Sequence, residues 1–337
     1  MSEAAADPVG YFIEEMTLHG KSDRTREAYE RVLRRFEAFL AERDETPQTA
    51  GRRECMAFVH SLRDEYADST VASYASYVHR FYGYMTQTGT LEGNPMALVT
   101  EEMDESITTD PARREISVEE MRAFLRGIAH PQHRAVVLTL LKTGIRVGEL
   151  CNLDLRDLSI SGWAREAYDY SPRPALSGRG DALYVDSVAR GETVNGAERT
   201  ASNKRERSTV VPVDGELRAA LTRWLAIRPD SPSPARPLFT GTSSRWGERL
   251  EPSQVRTVVR RHAEREGWYR AGGGAEENVT PHYFRHFFTT HLRDRTGDRG
   301  VVKYLRGDVA RDVIDTYTHN WGDRVREVYE ANIYSLL

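Results

Sequence analysis

The residues with the most chemistry in them lie between Pro281 and His319. His282 and Arg285 stand three apart behind Pro281, a residue suited to the first helical position, with Thr280 placed to cap it. Residues three apart share a helix face, so imidazole and guanidinium point the same way. Such a pair suits a phosphate, because a planar guanidinium can hold two oxygens at once. Tyr317, inside Thr316-Tyr317-Thr318-His319 and beyond a further helix, offers a hydroxyl that could attack it. Singly, each residue has a plainer reading. A tyrosine near a helix end is usually half-buried core, and a His-x-x-Arg pair is usually solvated surface. The combination needs further members, and two stand upstream.

The first is Arg146 in Thr143-Gly144-Ile145-Arg146-Val147-Gly148-Glu149-Leu150. An apolar helix over Ala135 to Leu141 stops at Gly144, and a second helix follows with Arg146 in its first turn. A cation there opposes the helix dipole, which an anion-binding role would explain. Glu149, one turn on, either orients Arg146 or is ordinary surface charge. The second is Lys204, ahead of the β-branched run Thr209 to Val213, which reads as a strand; the polar stretch Gly191 to Ser202 reads as a turn, so Lys204 lies on a mobile hairpin. Of 47 basic residues only Lys21, Lys142, Lys204 and Lys303 are lysines. Arginine keeps its proton at any working pH, whereas lysine can give one up. The plain alternative is an arbitrary charge in a polar loop.

In this order the motifs resemble the tyrosine recombinase (lambda-integrase-like, Xer-like) family, from about Glu115 to the C-terminus and more loosely over residues 8–98. Arg146, Lys204, His282, Arg285 and Tyr317 match the family's T-G-x-R-x-x-E-L, hairpin lysine, H-x-x-R-H and nucleophile positions. One position departs. The family's L-G-H histidine, or tryptophan, is replaced by Asp308 in Leu305-Arg306-Gly307-Asp308. An ionised carboxylate cannot donate a hydrogen bond to a phosphate oxygen. Asp308 therefore holds Arg285 or His282, or is protonated in the complex, or Arg306 or Lys303 supplies the donor.

The resemblance implies transesterification at a DNA phosphodiester, leaving a 3′-phosphotyrosyl link and a free 5′-hydroxyl. A tyrosine titrating at ~10 needs help to ionise, for which His282 is the candidate base or relay. Arg146 and Arg285 would stabilise the charge on the equatorial oxygens, and Lys204 would protonate the leaving oxygen. No cofactor or metal is expected. The sequence has no Walker loop, no H-E-x-x-H and no acidic metal cluster, and Cys55 and Cys151 cannot build a zinc site.

Positioning these groups falls to a mainly helical chain with a small antiparallel sheet in its catalytic part. Its 337 residues suggest two domains. Residues 8–98 show apolar stripes at helical spacing over Asp23 to Glu42 and Ser69 to Thr86. By resemblance this is a helical core-binding (SAM-like) domain, 99–115 a linker, and 116–337 the catalytic domain, together a C-shaped clamp around DNA. Net charge is −4, with 11 basic and 16 acidic side chains in residues 1–100, so DNA binding requires a local basic surface. Arg31, Arg34, Arg35, Tyr77, Arg80, Arg256 and Arg260 are candidates for it, the bland alternative being solvated helix faces. The Pro/Gly/Ser-rich stretch between Ile160 and Asp181 reads as an exposed insertion. The amphipathic tail from Val325 to Leu337 either closes its own core or, by resemblance, docks on a neighbour in a homo-tetramer on two DNA sites. No apolar run is long enough to span a membrane, and with two cysteines and no export signal at Met1 a cytoplasmic protein is expected.

These features point to a site-specific recombinase or integrase of a virus, plasmid or other mobile element. Alternatives are an Xer-type chromosome-dimer-resolving recombinase, a type IB topoisomerase, or a decayed recombinase kept as a DNA-binding regulator.

Overall fold

The computed structural model describes residues 7–107, 112–161, 170–308 and 322–337. Tyr317 and His319 lie outside them. The chain divides into two compact units, residues 1–112 and 113–337, each described by itself.

The first unit is helical: α1 (Pro8–Leu18), α2 (Asp23–Ala41), α3 (Arg52–Arg63), α4 (Asp68–Gln87) and α5 (Ala97–Glu102). Ser22 caps α2 by accepting from the Thr25 amide, and Val32, Leu33, Phe36 and Leu40 form its buried stripe. That stripe meets Phe58 of α3 and Tyr82 of α4, whose rings approach Phe36 edge-on. The stretch expected to begin the linker instead starts with α5, whose Val99 is buried in this core. Arg63 then pairs with Glu105, fastening the segment that follows to the same unit.

The second unit begins with α6 (Val118–Arg126), where Ser117 and Glu120 form a reciprocal capping box. Next come α7 (Pro131–Thr143) and the short α8 (Val147–Cys151). A three-stranded antiparallel sheet follows, from β1 (Leu158–Ser159), β2 (Ala182–Val185) and β5 (Thr209–Pro212), in the order β1-β2-β5. A separate hairpin, β3 (Thr193–Val194) and β4 (Ala197–Glu198), turns at Asn195-Gly196, both with positive φ, the geometry a two-residue hairpin loop needs. Helices α9 (Gly215–Leu225), α10 (Pro252–Arg265), α11 (Pro281–Thr296), α12 (Arg299–Arg306) and α13 (Gly322–Asn332) complete the unit.

Helix α7 is central. Val136, Val137, Leu138, Leu140 and Leu141 are all buried, so it carries apolar residues on every side. It packs against α9 and α11. Its one lysine, Lys142, is buried too and bonds to Asp214 and Glu216, at 2.6 and 2.7 Å, and to the Tyr334 carbonyl, at 2.5 Å. Glu216 also accepts from the Leu336 amide. The tail therefore closes its own domain, with Tyr329, Tyr334 and Leu336 buried in the main core. The expected insertion is mostly exposed in its described part and is held at two points. Arg173 pairs with Asp157 and Asp186, and Leu176 is buried. Among the described residues no helix is long and apolar enough to cross a membrane.

Candidate active site

Arg146 and Arg285 are brought together by two chain reversals. Gly144 ends α7 in the left-handed region, φ 63°, and a side chain there would collide with Phe288 of α11. The Gly144 carbonyl accepts from Arg285 Nη1 at 2.7 Å, and the Arg306 carbonyl accepts from the same nitrogen at 3.0 Å. Arg285 is thus a buried side chain on α11 with one edge fixed by backbone oxygens. Its other terminal nitrogen, Nη2, donates to Asp308 Oδ1 at 2.6 Å.

Arg146 sits just before α8, at the cap position rather than in the first turn. Glu149 settles the choice left open for it, because its side chain is fully buried. Its carboxylate accepts from the Arg146 amide and from Arg146 Nη1, both at 2.9 Å. Arg146 Nη2 then reaches the same oxygen that Arg285 holds, Asp308 Oδ1, at 3.1 Å. Asp308 Oδ2 lies 3.0 Å from Arg306 Nε. Four arginines, Arg146, Arg205, Arg285 and Arg306, share two carboxylates, Glu149 and Asp308. Burial first, then Arg306 and Arg146, push the Arg285 guanidinium down to about 9, which leaves it charged at neutral pH. His282, one turn before Arg285, is exposed at its edge. The protein atoms around its ring, and then Arg113, Arg285, Arg146 and Arg306, hold it below the usual histidine range. A neutral imidazole of that kind can accept a proton.

Lys204 lies in an irregular segment between β4 and β5, not on a hairpin. The segment is pinned on both sides of it. Asn203 donates to the Asp186 and Val188 carbonyls at 2.8 and 3.0 Å, and its own oxygen accepts from the Arg205 amide at 3.0 Å. Arg205 is buried and donates to Glu149 at 3.1 Å and to the Leu305 and Arg306 carbonyls at 3.3 and 3.2 Å. Lys204, between these two anchors, is exposed. Gly148 lets the segment approach α8, since a side chain there would meet the Ser202 carbonyl. Gly307, φ 67°, does the same for Arg205.

Arg205 was not singled out in the sequence. Its signal was faint, one arginine inside Lys204-Arg205-Glu206-Arg207. A second missed cluster holds the same loop from behind. Buried Asp154 accepts from Arg199 Nη1 at 3.1 Å, Arg249 Nη2 at 2.6 Å and Asn195 Nδ2 at 2.8 Å. Burial raises the Asp154 carboxyl, but Arg199 and Arg249 outweigh it and the net shift is downward.

The candidate DNA contacts are less uniform. In the first unit Arg31 and Arg80 are exposed, and Arg80 lines a cleft with Lys21 and His79. Arg34 is engaged by Asp7 and Glu37, both at 2.8 Å, and Arg35 by Glu65 and Tyr66. Tyr77 stacks on Tyr29, with ring centroids 4.1 Å apart. In the second unit Arg256 and Arg260 are exposed on α10.

Helices around a small antiparallel sheet bring two arginines to one carboxylate oxygen, a geometry that can also hold a phosphate oxygen. Two family models match the chain: the phage integrase family over residues 187–322, and the phage integrase N-terminal SAM-like domain over residues 11–89. Tyrosine recombinase XerC of Pelobacter propionicus is 24% identical over 319 residues, covering 92% of this chain and 89% of its own. Tyrosine recombinase XerD of Shewanella oneidensis is 24% identical, covering 93% and 91%. Among solved structures, the Tn1549 transposon integrase in complex with a circular intermediate DNA superposes with a TM-score of 0.63 at 17% identity, covering 96% of this chain and 98% of that one. A lambda integrase dimer bound to a core site gives 0.60 at 14%, covering 90% and 94%. The chain belongs to the phage integrase family of tyrosine recombinases.

Proposed function

We propose that the chain cuts and rejoins double-stranded DNA at specific sites, with Tyr317 as the nucleophile and Arg146 and Arg285 as the phosphate clamp. The observation that carries this reading is the convergence of Arg146 Nη2 and Arg285 Nη2 on one carboxylate oxygen, at 3.1 and 2.6 Å. Two fixed guanidinium groups aimed at one oxygen are what a pentacovalent phosphorus with extra equatorial charge requires. The arginines need no reorganisation when charge develops, because Glu149 and two backbone carbonyls already hold them. His282 takes the phenolic proton as the Tyr317 oxygen bonds to phosphorus. Lys204 gives a proton to the departing 5′ oxygen. The covalent link conserves the energy of the broken bond, so a second 5′-hydroxyl can reseal it.

The natural role is integration or excision of a mobile element, with four protomers acting on two sites. The similar Tn1549 transposon integrase is in complex with a circular intermediate DNA, and the lambda integrase is a dimer bound to a core site, which supports a DNA-bound assembly of several protomers. Chromosome dimer resolution is the second reading, favoured by the Xer recombinases that align over nearly the whole chain. Residues 8–98 act as the core-binding domain, with Arg31 and Arg80 the freer of its candidate contacts.

The role of Lys204 is tested with a 5′-bridging sulfur substrate, whose leaving group needs no proton. Lys204→Ala should cleave the ordinary phosphodiester at least about a hundredfold more slowly and the sulfur substrate at the wild-type rate. Equal losses on both substrates would remove Lys204 as the acid.

A further inference from the structure

We propose that Asp308 is an internal stand-in for the phosphate, and that Arg306 is the third guanidinium of the seat it occupies. The inference rests on the recombinase reading of the site and deepens it. Asp308 presents two oxygens with one negative charge between them, as the non-bridging oxygens of a phosphodiester do. One oxygen takes both Arg146 and Arg285, and the other faces Arg306 at 3.0 Å. A phosphate entering the site must take the positions this carboxylate now holds.

Two further observations set Arg306 apart from a mere counter-ion. Its Nε, although close to Oδ2, is not aimed at it and makes no hydrogen bond among the described residues. A buried donor without an acceptor is costly, and one in a cluster of arginines is a donor kept for another anion. The Arg306 carbonyl meanwhile receives both Arg285 and Arg205, so its backbone is part of the frame that fixes the clamp. Arg285 points the same way. Burial first, then Arg306 and Arg146, depress its guanidinium even with Asp308 in place, so neighbouring positive charge is felt there.

Asp308 can leave. Its side chain is about a quarter exposed, whereas Glu149 is fully buried, and it follows Gly307 at the end of α12. Glu149 therefore stays and keeps Arg146 aligned, while Asp308 yields to the phosphate. In the resting protein Asp308 prevents three close guanidinium groups from repelling one another and screens the seat from adventitious anions. The exchange also explains how an acidic residue is tolerated beside a phosphate-binding pair. It need not contact the phosphate, because Arg306 donates in its place.

The test is titration of the full-length chain with inorganic sulfate at low ionic strength, followed by calorimetry. Asp308→Asn should bind sulfate about tenfold more tightly than wild type, and Arg306→Leu about tenfold more weakly. The double variant should lose the gain. If Asp308 were instead a fixed clamp, Asp308→Asn would bind sulfate no better, or worse, and the proposal would fall. It would fall equally if Arg306→Leu bound sulfate as wild type does. Arg306 is partly exposed, so that variant decides the matter even if Asp308→Asn does not fold. Neither titration involves Tyr317 or a DNA site, so a failure here is distinct from failure of the recombinase reading.

Discussion

At the scale of single residues, the site depends on Glu149 as much as on the arginines it serves. Its buried carboxylate holds the Arg146 amide, the Arg146 guanidinium and the Arg205 guanidinium. Removing one partner of a buried pair leaves the other charge uncompensated. Glu149→Gln is expected to cost about 3 kcal/mol of stability, read from urea unfolding. It should also slow cleavage, because Arg146 loses its fixed direction; an unchanged urea midpoint would show that the Arg205 charge is satisfied elsewhere. Arg146, His282 and Arg285 were legible in the sequence because spacing and local motif carry them. Arg205 was not. Whether a cation in a charged run faces solvent or a buried carboxylate is decided by a partner far along the chain. The scarcity of lysine was only half informative for the same reason. It drew attention to Lys204, which is exposed, but the same short roster contains Lys142, which is buried and has three acceptors that give it a structural task.

At the scale of elements, helix stripes were read to within a residue or two, as at α2 and α4, since apolar periodicity is local. The segment around Lys204 was read as a mobile hairpin, yet Asp154, Asn203 and Arg205 pin it, contacts that no periodicity announces. A histidine pair joins α7 to α10 in a way that makes the second unit sensitive to acid. His133 Nδ1 lies 3.1 Å from His262 Nε2, a separation that admits one shared proton. Burial first, then His130, His262 and Arg261, push His133 down to about 4 from an ordinary 6.5. Between those values the unfolded chain binds a proton that the folded chain refuses. Stability contributed here is complete above pH 6.5 and declines as pH falls toward 4. The urea midpoint should fall over that range, and His133→Asn should flatten the decline. A slope unchanged by the substitution would place the acid sensitivity elsewhere.

At the scale of the whole molecule, a net charge of −4 conceals four arginines gathered on two carboxylates, three of them around Asp308. Local charge rather than the total fits the chain to a polyanion. The tail closes the second unit on itself, with Tyr334 and Leu336 in its core, so this domain needs no second copy to complete its packing. The proposed reaction is attack by Tyr317 on a phosphodiester held by Arg146 and Arg285. It is tested most directly on a nicked duplex carrying a sequence selected for tight binding, where loss of the short cleaved product traps the covalent step. An SDS-resistant protein–DNA adduct should form without metal or ATP and disappear in Tyr317→Phe while DNA binding persists. Tight binding with no adduct from the wild-type chain would contradict it and leave a DNA-binding protein that does not cut.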